Sequence, residues 1–186
     1  MRTWQRASNL QVGTMAEGSI IGKFDDFQFD LSDGVIYGYR LRAAGVFSKT
    51  GGVAAADLPV VGRDLVLVTR ESAVDWAGLP RNNVDGRAWG TVYRGTKVVS
   101  RTGAVVGRVD DYVFEPVPAR VTGFLLDGDR LLAWDDRIGV GRDAVVIGDP
   151  LVILGLESEE PESTGWWTRV RGAVRKKGDE RKGEES

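Results

Sequence analysis

Between positions 24 and 31 the chain reads FDDFQFDL, and its apolar residues keep two different rhythms. Phe27, Phe29 and Leu31 alternate with Gln28 and Asp30, the period-two pattern of a strand with one buried face. The parity breaks at Asp25-Asp26, because Phe24 and Phe27 stand three apart, and such a break predicts a bulge or bend. A turn at LSDG follows, then a second strand, VIYGYRL, whose Gly38 predicts close approach by a neighbouring strand or a large ring. A short β-branched run, LVLV at 65–68, reads as one more strand.

The same pattern returns 85 positions later. Gly18, Gly22, Asp25-Asp26, Phe29, Gly38 and Leu41 match Gly103, Gly107, Asp110-Asp111, Phe114, Gly123 and Leu126 without a gap. Val109 and Tyr112 repeat the broken parity, and RVTGFLL stands where VIYGYRL stood. Further on, GRDLVLV (62–68) matches GRDAVVI (141–147) at an offset of 79, the difference falling in AAGVFSKTGGVAAADLP. A self-similar pattern of this kind identifies a duplicated unit. Short strands between Gly-rich turns predict an all-β fold of two tandem small barrels. The first spans 1–72 and the second 93–156, with a connector at 73–92 and a tail at 157–186. Trp76 and Trp89 in the connector are expected to pack against a barrel, with exposure as contact anchors the alternative.

The order G-x-x-x-G-[KR]-[FV]-D-D-[FY]-x-F, a strand ending G-[YF]-x-L, and a closing L-V-L-V-type run resembles the PRC-barrel family, across residues 8–72 and 93–156. That family includes the cytoplasmic domain of the photosynthetic reaction-centre H subunit and a domain of the ribosome-maturation factor. The resemblance implies compact β-barrels that act as adaptors for protein partners. It carries over no catalytic residue.

Composition narrows the chemistry. The chain has no cysteine and no histidine, which excludes disulfides, thiolate metal sites, Cys or His nucleophiles and Ser-His-Asp triads. A net charge of −2 argues against direct nucleic-acid binding. Neither the first residues nor LVILGL (151–156) have the apolar length of a signal or a membrane span, so the expected compartment is the cytoplasm.

Asp25-Asp26 and Asp110-Asp111 are the candidates for carboxylate chemistry or a hard-cation site. Adjacent strand residues point to opposite faces, and no alternating ligand loop lies nearby, so a structural role is favoured. One Asp of each pair is expected to accept backbone N–H bonds at the bend while the other faces water. Asp135-Asp136 has no counterpart in the first copy and reads as a turn. Neither a cofactor nor an enzymatic activity is expected.

Past Leu156 the composition changes. ESEEPEST (157–164) is an acidic linker, and GWWTRVRGAVRKK (165–177) carries five cations and no acid. At 100° per residue Trp166, Trp167, Val170, Ala173 and Val174 fall within an arc of about 120°. Arg169, Arg171, Arg175, Lys176 and Lys177 lie mostly on the other side, the pattern of a cationic amphipathic helix. Such a helix is marginal alone and orders on a surface. An anionic membrane, a protein partner or the chain's own acidic barrels each suit it. The expected function is therefore a non-enzymatic adaptor, peripheral on the inner face of the membrane. The alternative is a ribosome- or RNA-processing accessory working through a protein partner.

Overall fold

The structure, a computed structural model, describes residues 2–45, 49–78, 86–127, 130–135, 137–148 and 153–155, the last three by backbone alone. In the first copy β1 (Gln11–Thr14), β2 (Ile20–Asp30), β3 (Ile36–Ala43) and β4 (Thr50–Ala54) are followed by β5 (Val60–Val61), β6 (Leu65–Val68) and β7 (Val74–Asp75). A short strand, β8 (Arg87–Trp89), lies between the copies. In the second, β9 (Lys97–Ser100), β10 (Val105–Pro116), β11 (Ala119–Leu126) and β12 (Arg130–Ala133) lead to β13 (Ile138–Val140), β14 (Ala144–Ile147) and β15 (Ile153–Gly155). One-turn helices precede each copy, α1 (Trp4–Ala7) and α2 (Gly90–Tyr93).

The expected all-β duplication is found, and it extends to topology. The first sheet runs β5-β6-β1-β2-β3-β4-β7 and the second β13-β14-β9-β10-β11-β12-β15, so each strand of one maps onto its counterpart in the other. Both sheets bend around their long central strand, and in each the closing β-branched run pairs in parallel with the first strand. The predicted bulges are present, with register shifts between Phe24 and Asp26 and between Val109 and Asp111. They move Phe24 and Phe27 onto the same buried face despite their odd spacing, and both are fully buried. Gly38 and Gly123 answer to a neighbouring strand and not to a ring. A Cβ there would lie 2.9 Å from the Val53 carbonyl oxygen and 2.8 Å from that of Leu132.

Met1–Gly155 forms one compact unit, and the two copies share one core. At its centre Phe27 meets Tyr112 edge-on at 5.5 Å between ring centroids, and these two residues occupy the same place in the repeat. Phe27 contacts Phe114 at 5.3 Å, and the reciprocal pair Tyr112 and Phe29 lies at 5.9 Å. Val35 bridges to Arg120, its own counterpart. Contacts in which residue i meets j and the equivalent of j meets the equivalent of i define an isologous interface, the kind found in twofold dimers. Burying one such aromatic side chain is worth about 1.5–3 kcal/mol, so each ring at the junction stabilises both copies at once.

The described parts of the connector, 73–78 and 86–92, belong to this architecture as well. β7 closes the first sheet on β4, β8 pairs with β2, and Trp89 is buried at 3% exposure while Trp76 packs half-buried against the core.

One buried polar atom has no partner among the described residues at a position where the repeat suggests a remedy. The Tyr39 hydroxyl makes no hydrogen bond, and burial raises its pKa. Phe124 holds the equivalent place, so an unsubstituted ring fits this environment. Tyr39→Phe is expected to stabilise the fold by about 1 kcal/mol, seen as a higher melting temperature, because it removes an unpaid desolvation cost.

Candidate functional site

The acidic pairs sit at the two bulges, and each divides its labour. Asp26 is fully buried and Asp111 nearly so. Each accepts the N–H of the next residue, Phe27 at 2.9 Å and Tyr112 at 2.8 Å. Their remaining partners lie in the other copy. Asp26 takes the Thr91 N–H at 3.2 Å and the Thr91 hydroxyl at 2.6 Å, which satisfies the exposed first turn of α2. Asp111 takes the Gln5 N–H at 3.0 Å, and with it the Thr3 hydroxyl, at the start of α1. An α-helix leaves its first N–H groups unpaired, so each copy caps the helix that introduces its twin. Gly90 makes this possible, since a Cβ there would stand 2.8 Å from the Asp26 carboxylate.

The chain then returns home. After α1 the Asn9 N–H donates to the Phe24 carbonyl, and after α2 the Gly95 N–H donates to that of Val109. Flanking pairs are exchanged in the same way: Gln28 of β2 pairs with Trp89, and Val113 of β10 bridges to Thr3.

The outward member of each pair binds an arginine that also faces an exchanged tryptophan. Asp25 pairs with Arg40, whose guanidinium lies 4.9 Å from the centre of the Trp89 ring, and with Arg42 at 3.1 Å. Asp110 pairs with Arg94 at 2.9 Å, and Arg94 lies 5.3 Å from the Trp4 ring. Arg40 and Arg94 are not counterparts in the repeat, so the two halves reach one Asp–Arg–Trp arrangement with arginines from different places.

Burial dominates the electrostatics of both inner acids and raises their pKa despite the donors around them. A raised folded-state pKa gives stability that is complete below the unfolded value near 3.8 and is lost as pH climbs through the folded value. Asp26→Asn removes this dependence. The variant is therefore expected to gain on the wild type as pH rises from 4 to 7, measured as the difference between their urea midpoints across that range.

These acids are committed to backbone and arginine, and no group of three potential ligands that could hold a metal ion occurs among the described residues. Two of the buried phenols are committed too: Tyr112 donates to the Gly90 carbonyl at 2.6 Å and Tyr93 to that of Gly141 at 2.7 Å. Asp135 accepts the Arg137 N–H, the local bond of the expected turn, while Asp136 lies outside the described residues.

Two surface depressions stand out among the described residues. One of about 460 Å³ is lined by Gln28, Tyr37, Gly52, Asp75 and Arg87, with the Arg87 guanidinium 3.5 Å from the centre of the Tyr37 ring. The other, about 450 Å³, is bordered by Ile20, Lys49, Glu71 and Trp76. Neither brings together a nucleophile, a base and an oxyanion donor. The residues expected to contact a membrane or partner, Trp166, Trp167, Arg169, Val170, Arg171, Val174, Arg175, Lys176 and Lys177, all lie outside the described residues.

No family model matches this chain, and no curated protein matches it. Among the described residues no helix is long and apolar enough to cross a membrane.

Proposed function

We propose that the chain is a non-enzymatic adaptor built from a fused pair of PRC-type barrels. Its basic tail holds it at the anionic inner surface of a membrane while the β-unit engages a protein partner. The observation that carries this reading is the composition of 165–177. Four of its five cations stand outside the arc that holds both tryptophans in a helical projection, behind an acidic linker long enough to give reach. Support for a non-enzymatic role comes from the carboxylates, whose hydrogen bonds go to capping the fold. The resemblance to PRC barrels adds the adaptor role.

Flotation with vesicles containing phosphatidylserine tests it. Each cation near such a surface is worth about 1 kcal/mol, so deleting 165–177 is expected to lower the partition coefficient by at least roughly a hundredfold. Negligible and equal flotation of both forms would remove the membrane from the account.

A further inference from the structure

The two copies present the same outer sheet face, and only one of them has become cationic. In the second copy Val146 of β14 lies beside Val99 of β9, which lies beside Val105 of β10. Val105 is 59% exposed and Val146 40%. Their strand neighbours Val98, Val145 and Ile147 point into the core, so these three valines form an aliphatic strip on the outer surface. Lys97 and Arg108 continue that face, directly opposite each other across β9 and β10. Like charges placed so on neighbouring strands repel, and here no acid separates them.

Exposed Arg101 and Arg142 lie in the turns at the two ends of β9 and β14. None of the four cations has an ion-pair partner among the described residues, although Arg108 donates to the Gly95 carbonyl. Two acids lie close to them. Asp143 follows Arg142, and Asp127, which accepts the Arg108 N–H, is paired with Arg130.

The first copy is the internal control. Leu65 and Leu67 of β6 and Ile20 of β2 make the matching strip around Gly13 of β1. There Lys23 faces the neutral Gln11, and Arg63 pairs with Asp64. Arg101 and Thr102 of the second hairpin replace Ala16 and Glu17. A purely architectural need would act on both copies. The cations that the second copy adds, Lys97 in place of Gln11 and Arg101 in place of Ala16, answer to something met by that copy alone.

We infer that the outer face of β14, β9 and β10 docks on an anionic lipid bilayer, as a contact additional to the tail. Charge complementarity selects an anionic surface. The strip is aliphatic and includes no aromatic side chain, whereas protein interfaces draw their energy from buried aromatics and Arg in pockets. Short valines ringed by long cations can enter the headgroup layer while the charges stay among the phosphates.

This inference rests on the membrane reading of the protein, and the test separates the two. The chain contains no cysteine, so Val105→Cys carries a polarity-sensitive fluorophore at one site, and Ile20→Cys places it at the matching site of the other copy. With full-length protein on vesicles containing about 30% phosphatidylserine, the label at 105 is expected to shift to the blue and the label at 20 to stay unchanged. Replacing Lys97, Arg101 and Arg142 together by Gln is expected to lower the partition coefficient roughly a hundredfold, with an unaltered melting temperature. Equal responses at 20 and 105, a silent label at 105 on protein that floats, or undiminished flotation of the triple variant each overturn the face alone. The last two would leave an acidic protein as the occupant of the strip. Absence of flotation by the wild type overturns the face and the tail together.

Discussion

Phe27→Ala is expected to destabilise both halves of the molecule together, by about 3–5 kcal/mol. Phe27 is fully buried and touches Phe29 of its own copy at 5.7 Å and Tyr112 and Phe114 of the other. A cavity at that place takes contact away from both sheets at once. Domains of this size have about 5–15 kcal/mol in total, so the loss consumes much of the margin. Chemical denaturation followed by far-ultraviolet circular dichroism would report a single transition at much lower urea. Tyr112→Ala, at the equivalent position, should do nearly the same and also leave the Gly90 carbonyl with the Arg94 N–H as its remaining partner among the described residues. A variant that loosened β2 and β3 while β10 and β11 kept their protection would show that the aromatic junction is incidental.

Asp26→Ala is the second large effect, about 2–4 kcal/mol, and its signature is positional. The substitution leaves the N–H groups of Phe27 and Thr91 without their acceptor and removes the Thr91 hydroxyl's partner, while Arg40 keeps Asp25. Stranding buried donors costs about 1–3 kcal/mol for each fully desolvated group, less for Thr91 because its side chain reaches solvent. Loosening should appear at α2, 65 positions away in sequence, before it appears beyond the bulge. Asp26→Asn keeps one acceptor oxygen and should cost about 1 kcal/mol near pH 7. Asp111→Ala should loosen α1 in the reciprocal way. Amide exchange measured residue by residue would distinguish these outcomes from uniform destabilisation.

Local pattern made much of each copy legible from the chain. Phe27, Phe29 and Leu31 announced a half-buried strand, the Phe24-to-Phe27 spacing announced the bulge, and Gly38 and Gly123 announced close approach to the backbone, by a strand or a ring. Each signal involves residues only a few positions apart, where sterics and burial act directly. The relation between the copies left no such mark. Residues 3–7 read TWQRA and residues 89–93 read WGTVY, yet they occupy equivalent places. A carboxylate that caps a helix asks only for backbone N–H groups, so the capped segment is free to vary in side chain. The shared core was equally hidden, because an alternating strand buries its face in a separate barrel or in a common one with the same residues. Lys97 and Arg108 could be seen as neighbours only once the register of β9 against β10 was known. The tail was legible as composition alone, and its placement lies outside the described residues.

Denaturant-dependent hydrogen exchange on the unmodified chain puts the account to its most direct test. If reciprocal capping by Asp26 and Asp111 fuses the repeats, amides in β2 and β3 and those in β10 and β11 should converge on one opening free energy with one urea slope. Two separate isotherms, one half opening fully while the other stays closed, would contradict it.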